Sequence, residues 1–209
     1  MRTFALVSQK GGAGKSTLAC HLAALAGETG PALMIDRDPQ GTTAKWWSRR
    51  TDLDPPPEWP ELVDLEGKPL AAAVAELRGQ AGALFVDTRP AVQEPEAEAA
   101  RAADLVVVPV RPTMNDLEAV TDTLDMLKRI NRPAAIVVNA ARNEGRARDA
   151  RAALSQYGVP VCPHYLTDRT VYHDAAVEGR TVMEMKGAAA EAGAAEMRKV
   201  WTWIEGTSR

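Results

Sequence analysis

Apolar residues fall into short unbroken runs, and the stretches between them carry apolar positions at helical spacing. The runs occupy residues 3–8, 32–35, 83–86, 105–108 and 134–138, with a shorter one at 159–162. Runs this short, without polar alternation, suit strands covered on both faces. Helices are predicted over 18–25, 42–50, 69–80, 115–130, 144–157 and 188–205. In 115–130, Leu117, Val120, Leu124 and Leu127 share one face, and Asn115 is the expected cap. In the last helix Met197, Val200, Trp201 and Ile204 share a face. Pro69 falls in the first turn of its helix, where proline is tolerated. Residues 53–60 hold four prolines and read as a stiff surface loop. Strands alternating with helices predict a doubly wound, mostly parallel α/β sheet with helices on both faces, in a single domain over 1–209.

Ligands on such sheets bind beyond the C-terminal strand ends. Here those ends carry the loop from Lys10 to Ser16, then Asp36, Asp87 and Asn139. Residues 9–17 read Gln-Lys-Gly-Gly-Ala-Gly-Lys-Ser-Thr between a strand and a helix, the order of a phosphate-binding loop. Gly11, Gly12 and Gly14 allow the sharp turns around Ala13 that aim backbone N–H groups at phosphate oxygens. The helix that begins near Ser16 and Thr17 adds positive potential at the same point. Lys15 is expected on the β- and γ-phosphates, and the Ser16 hydroxyl on Mg²⁺. Residues 84–88, Leu-Phe-Val-Asp-Thr, place Asp87 where a Walker B aspartate holds Mg²⁺, often through water. Asp36 and Asp38 end the second strand, where a carboxylate can orient an attacking water; alone, this pair could equally be a turn or a helix cap.

The loop departs from the common phosphate-loop pattern. Gln9 stands where glycine is usual, and a second lysine, Lys10, follows it. Lys-Gly-Gly-x-Gly-Lys-Ser resembles the deviant phosphate loop of the ParA/MinD family of ATPases, and Asp36-Arg37-Asp38-Pro39-Gln40 resembles that family's second motif. Residues 43–47 and 108–112, followed by Asp116, bring the resemblance closest to short, ParF-like plasmid-partition proteins. It covers nearly the whole chain. It implies ATP and ADP as nucleotides with Mg²⁺, a homodimer that sandwiches two ATP molecules, and Lys10 reaching the partner's ATP. It further implies Asp38 acting on the attacking water and Asp36 near Mg²⁺ through a water. Asn139 would face adenine. Residues 169–184, including Arg169 and Tyr172, would close over the base. The family's short members bind DNA without sequence preference and a ParB/ParG-like partner that stimulates hydrolysis. The chain starts directly at the first strand, so no separate DNA-reading domain is expected ahead of it. The same fold elsewhere positions carboxysomes, chemoreceptor clusters or division proteins.

The remaining features adjust this picture. Lys+Arg 25 against Asp+Glu 28 gives a net charge of −3, so DNA contact would need a local patch. Arg142, Arg146, Arg148 and Arg151 form one candidate, and Lys186, Arg198 and Lys199 another; either could be a solvated face. No apolar run approaches the roughly 20 residues of a membrane span. No signal peptide is read, and Cys20 and Cys162 are expected as reduced, buried thiols, both pointing to a cytoplasmic protein; association with the nucleoid in the ATP-bound state is what the resemblance implies. Those cysteines lie in the wrong elements for a nitrogenase-iron-protein cluster. The second lysine argues against a dethiobiotin-synthase type of enzyme. Asn139 is followed by Ala-Ala-Arg rather than a guanine-reading Lys-x-Asp, which favours adenine. The three histidines lack metal-ligand spacing. Trp46 and Trp47 follow the second motif, with at least one expected in the core. Arg89, two residues after Asp87, could touch phosphate or pair with Asp38 or Asp87.

Overall fold

The computed structural model describes residues 1–207. Among them lie seven strands: β1 (Arg2–Leu6), β2 (Ala32–Asp36), β3 (Glu61–Leu62), β4 (Ala83–Asp87), β5 (Leu105–Val110), β6 (Ala134–Ala141) and β7 (Val161–Thr167). The helices are α1 (Lys15–Gly27), α2 (Thr42–Thr51), α3 (Leu70–Leu77), α4 (Glu94–Ala102), α5 (Met114–Arg129), α6 (Glu144–Ser155), α7 (Val171–Val177) and α8 (Ala188–Thr207), with a 3-10 turn at Val182–Glu184. The sheet order is β3-β2-β4-β1-β5-β6-β7, and every neighbouring pair is parallel. The predicted doubly wound architecture is therefore the observed one.

Each face of the sheet has its own core. Side chains of α3, α4, α5 and α6 pack on one face around Val86, Val106, Val108 and Ile136. Those of α1, α2 and α8 pack on the other around Phe4, Phe85, Val107 and Val137. Phe4 and Phe85 stack at 5.1 Å, and Trp201 meets both, which seats the last helix.

Several boundaries differ from the sequence reading. Helix α5 starts at Met114 and its cap is Thr113, whose hydroxyl accepts from the Asp116 N–H; Asn115 is already helical. Pro69 caps α3 from outside, and the helix stops at Leu77 because Arg78 turns extended and Gly79 takes φ +90. Strand β7 runs to Thr167, past the predicted end, as an edge strand with exposed positions that broke the apolar run. Pro109 lies inside β5, where the missing N–H costs little because pairing with β1 ends at Val107. Helix α4 went unpredicted. Its buried apolar face is only Ala97, Ala99 and Ala100, too small to mark a period, although Gln93 and Glu96 form a capping box at its start. The two-residue β3 has no apolar run at all. It is held by Val63 N–H on Met34 O and by Trp47 Nε1–H on Pro60 O.

Candidate nucleotide site

Residues 7–14 leave β1 and turn into α1 with Gly12 at φ 74 and Gly14 at φ 93, both in the left-handed region. Gly14 is doubly constrained. The Asn139 side chain donates from Nδ2 to Ala13 O at 2.7 Å and fills the space a Cβ on Gly14 would need. Asn139, placed against adenine by the resemblance, thus braces the loop backbone here. Gln9 N–H reaches Thr123 Oγ1 of α5 at 3.3 Å, anchoring the loop's other end.

Lys15 is 6% exposed, with Nζ 3.4 Å from Ser8 O inside the loop. Burial, the largest influence, lowers its pKa; the charges of Asp87, Asp38 and Glu96 oppose that. A second cationic side chain, Lys10, is half-buried beside Pro109, Val110 and Asp116. Among the described residues it has no ion-pair partner.

Asp87 is fully buried at the end of β4. Its Oδ2 accepts from Thr43 Oγ1 at 2.7 Å, while Oδ1 has no hydrogen-bond partner. Burial raises its pKa to about 6, and the Ser16 and Thr43 side chains favour the ionised form. A buried, unbonded carboxylate oxygen beside the Ser16 side chain suits a hard cation with oxygen ligands, so the residues present fit Mg²⁺. Asp36 lies opposite Asp87 in the β2–β4 register. Both its oxygens take backbone N–H groups, of Asp38 at 3.0 Å and Ala44 at 2.9 Å. Asp36 therefore fixes the turn into α2, which leaves Asp87 as the carboxylate with an open oxygen. Asp38 accepts from Gln40 N–H at 2.9 Å and stands close enough to influence Lys15.

Other predicted residues go elsewhere. Arg89 bonds Glu96 at 2.8 Å and Gln93 at 3.0 Å, not Asp38 or Asp87. Glu96 is 1% exposed, and the pair satisfies it. Arg169 pairs with Glu196 of α8 at 2.7 Å. The Tyr172 hydroxyl donates to Gly193 O at 3.3 Å, and its ring packs edge-on against His21. Arg169 Nη2 and the Tyr172 hydroxyl are both tied to α8, so residues 169–184 buttress that helix. Trp46 is 2% exposed in the core, its indole N–H on Arg180 O. In the cluster at and before α6, Arg151 is tied to Pro163 O and Arg148 to Asp149, while Arg142 and Arg146 are exposed and have no carboxylate partner among the described residues. Arg198 pairs with Glu28 at 2.6 Å. Both cysteines are free and buried; burial pushes the Cys162 thiol up to about 11 and Cys20 higher still.

Two participants escaped the sequence reading. Thr43 stood only within the segment 43–47 with no role of its own, since its value lies in a bond to a residue 44 positions away. Arg111 lies within residues 108–112, where the sequence gives it no separate role. It holds Asp116 through Nε at 3.1 Å and Nη2 at 3.2 Å, and its Nη1 lies 3.4 Å from where a Gly12 Cβ would stand.

A glycine-rich loop between the central strand and a helix, with a lysine inside it and a buried aspartate on the adjacent strand, defines a phosphate-loop nucleotide-binding protein. Residues 4–182 match the family described as the CobQ/CobB/MinD/ParA nucleotide binding domain, and the chain belongs to that family as a ParA/MinD-type ATPase. It is 28% identical over 203 residues to the maintenance of carboxysome distribution protein A of Gloeobacter kilaueensis, covering 95% of this chain and 92% of that protein. It is 26% identical to a protein ParA of Rhizobium radiobacter over 82% of this chain and 81% of the relative. The fold superimposes on the septum site-determining protein MinD of Pyrococcus horikoshii, solved with Mg-ADP, with TM-score 0.74 and 20% identity over 100% of this chain and 98% of that one. Among the described residues no helix is long and apolar enough to cross a membrane.

Proposed function

We propose that the protein is a Mg²⁺-dependent ATP switch whose ATP-bound form is a sandwich homodimer. In that state it binds non-specific DNA and a partner protein, and hydrolysis releases both. The observation that carries this reading is the pairing of a buried Asp87 with an open oxygen and a second loop lysine, Lys10, that has no ion-pair partner among the described residues. Lys15, Ser16 and the loop N–H groups would hold the phosphates, with Ser16 and Asp87 on the metal. Bound Mg²⁺ would neutralise charge on the β- and γ-oxygens. Asp38 would orient the attacking water. Lys10 from the second protomer would add charge stabilisation where the transferring phosphoryl group develops it. Arg142 and Arg146 are the exposed cations best suited to DNA phosphates, and such binding would weaken steeply with salt.

The cargo has two readings. Segregation of plasmid or chromosomal DNA follows from the likeness to the ParA protein, with a ParB/ParG-like partner. Positioning of a non-DNA cargo is supported equally by the likeness to the carboxysome-distribution protein along almost the full chain.

The test is light-scattering mass with ADP and with a slowly hydrolysed ATP analogue plus Mg²⁺. A monomer that becomes a dimer only with the analogue is expected, and Lys10→Ala should bind the analogue but stay monomeric. A mass that ignores nucleotide in the unaltered protein removes the switch.

A further inference from the structure

Arg111 follows β5 directly and points back over the phosphate loop. The geometry points to Arg111 as a second phosphate-contacting cation in this site, acting within its own chain on the β–γ end of the nucleotide; this rests on the ATPase reading above.

Three observations carry it. First, the guanidinium is pre-oriented. Nε and Nη2 form a fork on the Asp116 carboxylate, at 3.1 and 3.2 Å. Asp116 is 5% exposed and is itself held by the Thr113 hydroxyl, so the anchor cannot swing away. A rigid fork loses little rotamer freedom on binding, unlike a free surface arginine. Second, the fork leaves Nη1 unspent: among the described residues it has no hydrogen-bond partner. Third, that nitrogen stands 3.4 Å from the Cβ position of Gly12, against the tip of the loop. Gly12 lies three residues before Lys15, the lysine assigned to the terminal phosphates of this chain's own nucleotide. A donor touching the loop there lies within a small side-chain movement of an oxygen cradled by it. A side chain at Gly12 would be strained by its φ of +74, while its Cβ would meet Nη1 only at ordinary van der Waals distance.

The Arg111–Asp116 pair is close to neutral overall, so its contribution is directional: two N–H donors on a planar, permanently charged group. A contact at the β–γ end is made with ATP and with the transferring phosphoryl group, and only weakly with ADP. Arg111 would thus set the preference for triphosphate over diphosphate and stabilise charge in the transition state, without waiting for a second protomer. Lys10 by contrast is assigned to the partner's nucleotide.

The experiment compares the unaltered protein, Arg111→Gln and Arg111→Lys, with binding of fluorescent ATP and ADP analogues, binding of ADP with aluminium fluoride, and single-turnover hydrolysis. For Arg111→Gln the expected result is an ATP-analogue affinity at least tenfold weaker, an ADP affinity within threefold, and hydrolysis and aluminium-fluoride binding at least 30-fold lower. Arg111→Lys should recover less than a tenth of the lost rate, because a lysine cannot hold Asp116 with a fork and donate at the same time. Melting curves separate a folding effect. If Arg111 only anchors the start of α5, the melting temperature falls while the ATP-to-ADP ratio and the rate stay within threefold, and the proposal is overturned. Failure of the unaltered protein to bind any nucleotide would instead sink the ATPase reading itself.

Discussion

At the scale of single residues, the site depends on bonds that satisfy buried charge. Thr43 is the clearest case. It is fully buried, takes a weak contact from Cys20 Sγ at 3.9 Å, and gives its hydroxyl hydrogen to Asp87 Oδ2. Thr43→Val keeps the shape but leaves that oxygen unsatisfied beside one that already lacks a partner. The expected loss is about 1–3 kcal/mol of stability, read by urea denaturation. Thr43→Ser should restore most of it. Equal destabilisation by both variants would mean that packing, not the hydrogen bond, matters there. The placement of the loop glycines, Lys15, Ser16 and Asp87 at one sheet edge was legible in the sequence because phosphate loops use those residue types at short spacing. Thr43 and Glu96, the true partner of Arg89, were not, because each is defined by a contact distant in sequence or by a helix too alanine-rich to announce itself.

At the scale of elements, α2 links the nucleotide edge to the C-terminal buttress. Its first turn carries Thr43, and its last turn carries Arg49 and Arg50. Arg50 forms a fork on Glu184 at 2.8 and 2.9 Å, bonds Gly179 O, and lies 5.1 Å over the Trp46 ring. Arg49 holds Ala176 O through two nitrogens, and a Cβ on Gly179 would stand only 2.5 Å from the Arg50 nitrogen, so this crossing admits only glycine. Burial works to raise the pKa of Glu184, but the Arg50 bond and charge, with Thr181, hold it below the usual value. Glu184→Ala would strand a guanidinium whose side chain is 5% exposed. A loss of about 3–5 kcal/mol is expected, measured by chemical denaturation. A loss below about 1 kcal/mol would show that water replaces the carboxylate. The sequence marked α2 as a helix and 169–184 as one segment, but gave no sign that they clasp each other.

At the scale of the whole molecule, a buried histidine ties α1 to the segment at Val182 and responds to pH. His21 is 1% exposed within α1, with its Nδ1 2.7 Å from Thr17 O and its Nε2 accepting the Val182 N–H at 3.1 Å. Burial lowers its pKa to about 4, a shift the Thr17 carbonyl and Glu184 only partly oppose. The unfolded chain therefore binds a proton near pH 6.5 that the folded chain refuses until about pH 4. The stability tied to neutral His21 is complete above pH 6.5 and is lost as pH falls to about 4, by roughly 3 kcal/mol. Denaturation at pH 7 and pH 4 should show the unaltered protein losing about that much more than His21→Gln. Parallel losses in the two proteins would remove His21 as the cause.

The apolar runs alone dictated a parallel sheet with helices on both faces, since strands buried on two sides must be apolar throughout. The loop 9–17 likewise dictated its strand–turn–helix geometry, because that geometry is local and its residue types are forced. What only the tertiary structure decided were the long-range pairings: Asn139 beneath the loop, Thr43 on Asp87, Arg89 on Glu96, Arg111 over Gly12, and Tyr172 committed to α8. Each depends on strand order and helix docking, which bring together side chains dozens of residues apart, and no local pattern encodes which of several available charges will meet.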